Sequence, residues 1–298
     1  MLIRIAALLT AVFLAVAAPH EVRAQSGHRG LLWEVTSSRT TVYLLGTIHV
    51  GDSGMYPLPP HVEKAYASAS AIALEADLST GEAMLAAAMG AMYVPPDSLD
   101  KHVPPDLFRD VSELLRSYGL PAELGKSLKP HMLAMALTMM EVGRAGLDAS
   151  LGLDLHLAQR AHRDGKKVVE LESIGQQMQM LDSLPADAQV AMLESTVQGI
   201  RAGTLSADMT ALVDAWRKGE AETLDEVALR DLQHMPPAIA RSLKSRLYDE
   251  RNRAMADRIA QMLEAREVVL VAVGAGHMTG PEGLVALLRA RGFAVRRL

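Results

Sequence analysis

Two histidines stand in the same local setting near opposite ends of the chain. Thr40 to Leu45 is a β-branched, apolar run followed by Gly46-Thr47-Ile48-His49; Val268 to Val273 is another, followed by Gly274-Ala275-Gly276-His277. One Gly-x-x-His is uninformative, because a strand-end histidine also caps helices or satisfies carbonyls. Two of them, each closing a run that reads as a buried strand, point to a shared task. The pattern places both histidines on glycine turns, off the core. Gly46 and Gly274, helped by Gly276, let the backbone turn sharply or come close to a bound group, which makes them candidate cofactor contacts. Glu75 ends the apolar run Ala71-Ile72-Ala73-Leu74, and a carboxylate there is costly unless paired or liganding. Glu172 stands likewise after Val168-Val169-Glu170-Leu171, with Glu170 a competitor on the same face by the period of two. Asp154 lies on a Leu- and Ala-rich helix from which His156 points elsewhere. Arg251-Asn252 opens the run Arg-Asn-x-x-Met-Ala; Arg251 can bridge to a carboxylate or steady an oxyanion.

Two histidines and a glutamate, in a chain with no cysteine, make an N/O donor set suited to Mn, Co, Fe or Zn. In that reading His49, Glu75 and His277 are ligands, and the metal acidifies a water and polarises a carbonyl. A second carboxylate, Glu172 or Asp154, takes the proton, and Arg251 holds the developing charge. The chemistry is hydrolysis of an amide or ester. His-Glu-x-x-His, Gly-x-Ser-x-Gly, a dinucleotide glycine motif and a P-loop are all absent. His28, His61, His102, His131, His162 and His234 read as surface or helix residues.

These residues need strands that end at one rim. Leu31 to Thr36 and Thr40 to Leu45 read as a hairpin around Ser37-Ser38-Arg39. A helix over His61 to Ala69 precedes a strand from Ala71 into Glu75; if the strands of His49 and Glu75 lie side by side and parallel, both side chains reach the rim where α/β sheets bind ligands. From Ser79 to about Gly146 the chain reads as helical, and its Met residues between Met84 and Met140 as ordinary core. Gly152 to His162 is a helix and Lys166 to Leu171 a buried strand. Helices follow to about Glu264, broken at Leu184-Pro185, Gly203, Gly219 and Pro236-Pro237, with Tyr248 to Leu263 the longest amphipathic one. Glu267 to Val273, a helix from Pro281 to Arg291 and a strand from Phe293 to Arg297 close the chain. The fold class is α/β: a mixed central sheet assembled from N- and C-terminal strands, with a helical subdomain over about residues 79–264 that carries an inserted strand at about 166–171.

The 298 residues, 49% hydrophobic, suffice for a sizeable core. A net charge of −5 and 4% aromatics argue against nucleic acid. The first 24 residues read as a secretory signal peptide: Arg4, an apolar stretch from Ile5 to Ala18 too short to span comfortably, then Val22-Arg23-Ala24 as the cleavage site. The expected product, residues 25–298, is exported to a periplasm-like compartment with no stable membrane span. Its substrate would be a peptide or protein; its oligomeric state is open.

On these residues the chain resembles the TraB/GumN family, relatives of the Tiki membrane-associated metalloproteases, in a superfamily with ChaN-like haem-binding proteins and erythromycin esterases. The resemblance rests on Leu44 to Val50, Leu74 to Asp77, Gly152 to Asp154, Gly165-Lys166, Leu171 to Ser173, Gln177, Glu250 to Asn252, and Val273 to His277 with Gly280, Gly283 and Leu284. It implies the superfamily's (EreA/ChaN-like) α/β fold and a metal-dependent site at His49, His277 and Glu75, with Arg251 and Asn252 matching a further family motif. It also admits a metal- or haem-binding protein, as in the ChaN-like relatives, with Tyr43 and Tyr56 near His49 as axial candidates, or a non-catalytic envelope or polysaccharide accessory role.

Overall fold

The two glycine–histidine strands are neighbours at the centre of one sheet. A computed structural model describes residues 29–81 and 92–298; the expected signal segment, His28, Met84 and Met89 lie outside the described residues. The six strands are β1 (Leu31–Thr36), β2 (Thr41–Thr47), β3 (Ala71–Leu74), β4 (Lys167–Glu170), β5 (Val269–Gly274) and β6 (Ala294–Arg297), in the order β4-β3-β5-β2-β1-β6. β2, β3, β4 and β5 run parallel, and β1 pairs antiparallel with β2 and β6. The sheet is therefore mixed and drawn from both ends of the chain.

The strands of His49 and Glu75 are not adjacent, against the simplest expectation. β5, with His277 beyond it, lies between them. Its sequence Val-Leu-Val-Ala-Val explains the position: apolar side chains on both faces demand cover on both, which only a central parallel strand receives. β3 is likewise buried throughout. β4 is not the buried strand expected; it forms one edge, with Lys167 and Glu170 exposed, as charges at an unpaired edge discourage further pairing.

Helix α1 (Pro60–Ser68) connects β2 to β3, and α5 (Leu153–Arg163) connects the insertion to β4. They pack together, Tyr66 Oη donating to Asp164 Oδ2 at 2.8 Å. Between them lie α2 (Pro105–Ser117), α3 (Glu123–Ser127) and α4 (Pro130–Arg144). After β4 come α6 (Ile174–Asp182), α7 (Ala186–Ala202), α8 (Thr204–Lys218), α9 (Ala221–Ala228), α10 (Arg230–His234) and α11 (Pro237–Lys244). A π-helical turn, Ser245–Asp249, leads directly into α12 (Glu250–Glu264), and α13 (Leu284–Ala290) precedes β6. Breaks fall at each of the glycines and prolines expected, and one more falls at Leu229, between α9 and α10. Gly203 and Gly219 hold left-handed conformations at their helix ends, and Pro237 pre-sets the first turn of α11. By length alone α7 leads, at 17 residues against 15 for α12, which the π turn extends without a break back through Tyr248.

The strand order steps toward β4 through α1 and α5 and back through α12 and α13, which under the right-handed crossover rule puts the two pairs on opposite faces of the sheet. Met255, Ala256, Ile259 and Leu263 of α12 are buried there, at the spacing of one helical face. The insertion has its own core, in which Val111, Leu115, Leu133, Leu137, Leu193 and Val197 join α2, α4 and α7. Met139 and Met140 pack against the two cores as expected, whereas Met135 is exposed. Among the described residues no helix is long and apolar enough to cross a membrane.

The insertion is locked to the sheet by Trp216 of α8. Its ring is fully buried and its Nε1 donates to the carbonyl of Gly46 at 2.7 Å. Replacing it by Phe leaves that carbonyl short of a partner, so Trp216→Phe should lose about 1–3 kcal/mol. The check is a lower urea midpoint with an unchanged slope; an unchanged midpoint would contradict the role given to this bond.

Candidate active site

β2 delivers His49 by leaving the sheet at Thr47. The backbone beyond it is pinned to the segment before α5: Leu153 N donates to Ile48 O at 2.9 Å, and Gly51 and Asp148 exchange two backbone hydrogen bonds of 3.0 and 2.8 Å. A Cβ on Gly152 would lie 2.5 Å from the carbonyl oxygen of His49, so this approach requires glycine. It sets Asp154, in the first turn of α5, against the imidazole, with His49 Nδ1 and Asp154 Oδ2 2.8 Å apart.

The carboxylates are brought together by the β3–β4 ladder. It runs one step past the strands, Leu171 N donating to Leu74 O and Glu172 N to Glu75 O, both at 2.7 Å. Glu75 and Glu172 thus stand side by side, an arrangement that needs a cation. Arg251 provides it: Nη2 donates to Glu75 Oε2 at 2.8 Å and to Glu172 Oε2 at 2.7 Å, and Nε lies 3.0 Å from both oxygens of Glu172. Gln177, in the first turn of α6, adds a donor to Glu172 Oε2 at 3.1 Å. The other oxygen of Glu75, Oε1, accepts from Gly274 N at 2.5 Å.

His277 follows β5 on a single 3-10 turn, Ala275–His277, and is buried at 5% exposure. The expectation that both histidines lie off the core thus fails for His277, because α12 covers the turn. Asn252 Nδ2 donates to Glu282 O at 2.8 Å, which turns its Oδ1 toward His277 Nδ1 at 2.6 Å. The Nδ1 of His277 therefore carries the proton, and its Nε2 presents a lone pair. That nitrogen accepts from Arg251 Nη1 at 3.2 Å and lies 3.8 Å from Glu75 Oε1. The Tyr248 ring, 5.3 Å between centroids, packs against the imidazole.

The charges follow from this packing. Burial pushes the His277 imidazole down to about 4, so it is neutral at pH 7. Burial also pushes the Glu75 carboxyl up, but the charges of His277, Arg251 and His49 and the Gly274 N–H outweigh it and hold the group at about 2. With His277 neutral at pH 7, the lasting part of that stabilisation comes from Arg251, the charged His49 and the Gly274 N–H. The Asp154 charge lifts His49 to about 9, although its side chain is 60% exposed and solvent screens the pair.

Three of the expected groups converge at Gly274. A Cβ built there would lie 3.0 Å from Glu75 Oε1, 3.8 Å from His49 Nε2 and 3.7 Å from His277 Cδ2. Only glycine leaves this space open. Both imidazoles bond an oxygen through Nδ1, as metal-bound histidines do, and the donor set of two His and one Glu fits a divalent metal. Among the described residues no three His, Asp or Glu side chains already stand in a coordinating arrangement; the guanidinium of Arg251 joins Glu75, Glu172 and His277. Beside them opens a cleft of about 130 Å³ lined by Thr47, His49, Glu75, Asp154, Gln177 and Arg251.

From residue 31 to residue 297 the chain matches the TraB/PrgY/gumN family. It belongs to that family. The uncharacterized protein YbaP of Escherichia coli is 28% identical over 83% of this chain and 87% of its own length. Metalloprotease TIKI1 of Danio rerio is 24% identical over 91% of this chain but only 63% of its own length, and metalloprotease TIKI1 of Homo sapiens is 23% identical over 91% and 62%. No solved structure matches the chain.

In this member of the family Glu75, Glu172, Arg251, Asn252, Gly274 and His277 form one network, and the His49–Asp154 pair adjoins it. Gly46 stands apart: a Cβ on it would meet Leu31 and Ala275 at 3.1 and 3.2 Å. Glu170 is no rival to Glu172, since it accepts from Asp77 N at 2.8 Å. His156 packs at a tilt against Tyr56, whose hydroxyl donates to Leu151 O, which engages one of the haem-ligand candidates. The sequence marks Thr47 only as part of the glycine–histidine motif, and Tyr248 only as the start of a helix. Tyr248 lies three residues before Arg251, and helical spacing could have flagged it.

The shifted groups fix a pH dependence. Between pH 6.5 and about 4 the unfolded chain protonates His277 and the folded chain does not, so stability falls as pH drops through that window. Glu75 adds stability above pH 4.5 that is lost as pH falls toward about 2. Urea midpoints should decline steadily below pH 6.5, and the upper limb should become shallower in His277→Gln, the remainder coming from His156, which burial pushes down to about 4, and His131, which burial also lowers. A midpoint flat down to pH 4 would contradict the buried neutral imidazole.

Proposed function

We propose that the protein is an exported, metal-dependent hydrolase, most simply a peptidase, with His49, Glu75 and His277 as the residues that hold the metal. The observation that carries this reading is the convergence of His49 Nε2, Glu75 Oε1 and the His277 ring on the open space at Gly274. A Mn, Co or Zn ion bound there supplies a water acidified toward neutrality and a Lewis acid for the scissile carbonyl. Asp154 orients His49, and Asn252 keeps the His277 proton on Nδ1. Arg251, charged and only 17% exposed, is placed to balance negative charge on a carbonyl oxygen. Glu172 anchors Arg251 and is the second carboxylate available to take a proton. The similarity to TIKI1 and other Tiki metalloproteases supports the reaction class. Kinship with ChaN-like and erythromycin-esterase proteins, export by cleavage near Ala24, and a peptide or protein substrate belong to the same proposal.

The test is the purified mature protein with Mn, Co or Zn on a peptide library, with bound metal quantified in parallel. One equivalent of metal and metal-dependent cleavage are expected, and both should be lost in His49→Ala, His277→Ala and Glu75→Gln. Asn252→Ala should weaken metal affinity by roughly 10–100-fold while the protein stays folded. Cleavage unchanged in His49→Ala, or no stoichiometric metal, would overturn the proposal.

A further inference from the structure

A second cleft, of about 430 Å³, borders helix α5. Asp154 of that helix lines the first cleft; His156, two positions on and about 200° further round, lines the second. Arg160 and Arg163 follow His156 at the i, i+4, i+7 spacing of one helical face. Opposite them stand Tyr56, Pro57 and Leu58, from the segment before α1, and Glu63 from its first turn. None of these residues enters the hydrolase reading. The volume falls within the roughly 300–1,000 Å³ of sites that engulf a small ligand.

Its charges are unevenly committed. Arg160 Nη1 meets Glu63 Oε2 at 2.7 Å, and its Nε lies 3.7 Å from Asp164 Oδ2, which also accepts from Tyr66 Oη. The Arg160 guanidinium lies over the Tyr66 ring, 3.9 Å from its centroid. Arg163 is exposed and has no hydrogen-bond or ion-pair partner among the described residues. The His156 ring, 4.4 Å from that of Tyr56 between centroids, also lacks a hydrogen-bond partner there, and neither of its nitrogens is closed to solvent. Burial, then the charges of Arg160 and Arg163, push this imidazole down to about 4, with no carboxylate offsetting them. The cleft is therefore electropositive at the His156 end, and Arg163 is its free cation. A guanidinium fork matches the two oxygens of a carboxylate. Glu63 and Asp164, close by, disfavour a second negative charge. Tyr56, Pro57 and Leu58 supply an apolar surface. We propose that this cleft is a binding site for a monocarboxylate with an apolar body, its carboxylate on Arg163 and its body against Pro57 and the Tyr56–His156 pair. The inference does not rest on the hydrolase reading. The C-terminal end of a peptide and a free aromatic or aliphatic acid share this chemistry.

Calorimetric titration of the full mature chain at pH 7, with no metal added, tests it. The probes are N-acetyl-Ala-Phe, its C-terminal amide, 3-phenylpropanoate, 3-phenylpropanamide and phenyl phosphate. At least one of the two carboxylates should bind at least about tenfold more tightly than its own amide, the gain expected for one charge-assisted contact. Which of them does so assigns the source, a peptide end or a free acid. The preference should be lost in Arg163→Gln, whose urea midpoint should match wild type because the side chain has no partner to lose. It should survive in His49→Ala, which alters only the other cleft. Equal binding of acid and amide, binding of none, or a preference intact in Arg163→Gln overturns the proposal. A preference lost in His49→Ala instead moves the binding to the first cleft and overturns it too. Phenyl phosphate binding more tightly than both carboxylates overturns the single charge. None of these readouts needs turnover, so a failed search for cleavage would sink the hydrolase reading and leave this site standing.

Discussion

The site depends on one half-buried cation, Arg251. Glu75 and Glu172 are set side by side by the last step of the β3–β4 ladder, and two carboxylates at that separation repel unless something neutralises them. Arg251 does so with a planar fork that reaches both, and the same guanidinium meets the lone pair of His277. Removing it would leave two carboxylates in a largely buried setting, which is far more costly than the pair itself is worth. The position of Arg251 in turn depends on a π turn, an irregularity that is frequent at functional sites. Arg251 Nη1 donates to Leu247 O inside that turn at 3.0 Å, so the helix irregularity and the site are parts of one arrangement.

Around this cation each histidine is oriented by a different means. His277 is buried and neutral, its tautomer fixed by Asn252 and, behind it, by the backbone of Glu282. His49 is open to solvent and held by the Asp154 charge. The buried ring is rigid, while the exposed ring borders the cleft. The site thus pairs a covered imidazole with one that is open to solvent.

Much of this was legible in the sequence because it obeys short-range rules. Strands β2, β3 and β5 announce themselves as apolar runs, and the glycines and prolines mark the helix ends. Glu75, Glu172, His49 and His277 are visible as polar residues at the ends of such runs. What sequence periodicity does not carry is long-range order. It assigns no neighbours, so the insertion of β5 between the strands of His49 and Glu75 was out of reach, and with it the burial of His277. The exposed edge of β4 was hidden for the same reason, since an apolar pair such as Val168-Val169 reads alike at an edge and at the centre.

The central claim is that His49, Glu75 and His277 form one metal clasp at the open face of Gly274. A crystal structure of the mature protein soaked in Mn²⁺ tests it most directly. The account predicts an anomalous peak at Gly274 within roughly 2.0–2.3 Å of His49 Nε2, a Glu75 oxygen and His277 Nε2. No peak at that position, with Arg251 Nη1 still on His277 Nε2, would contradict it.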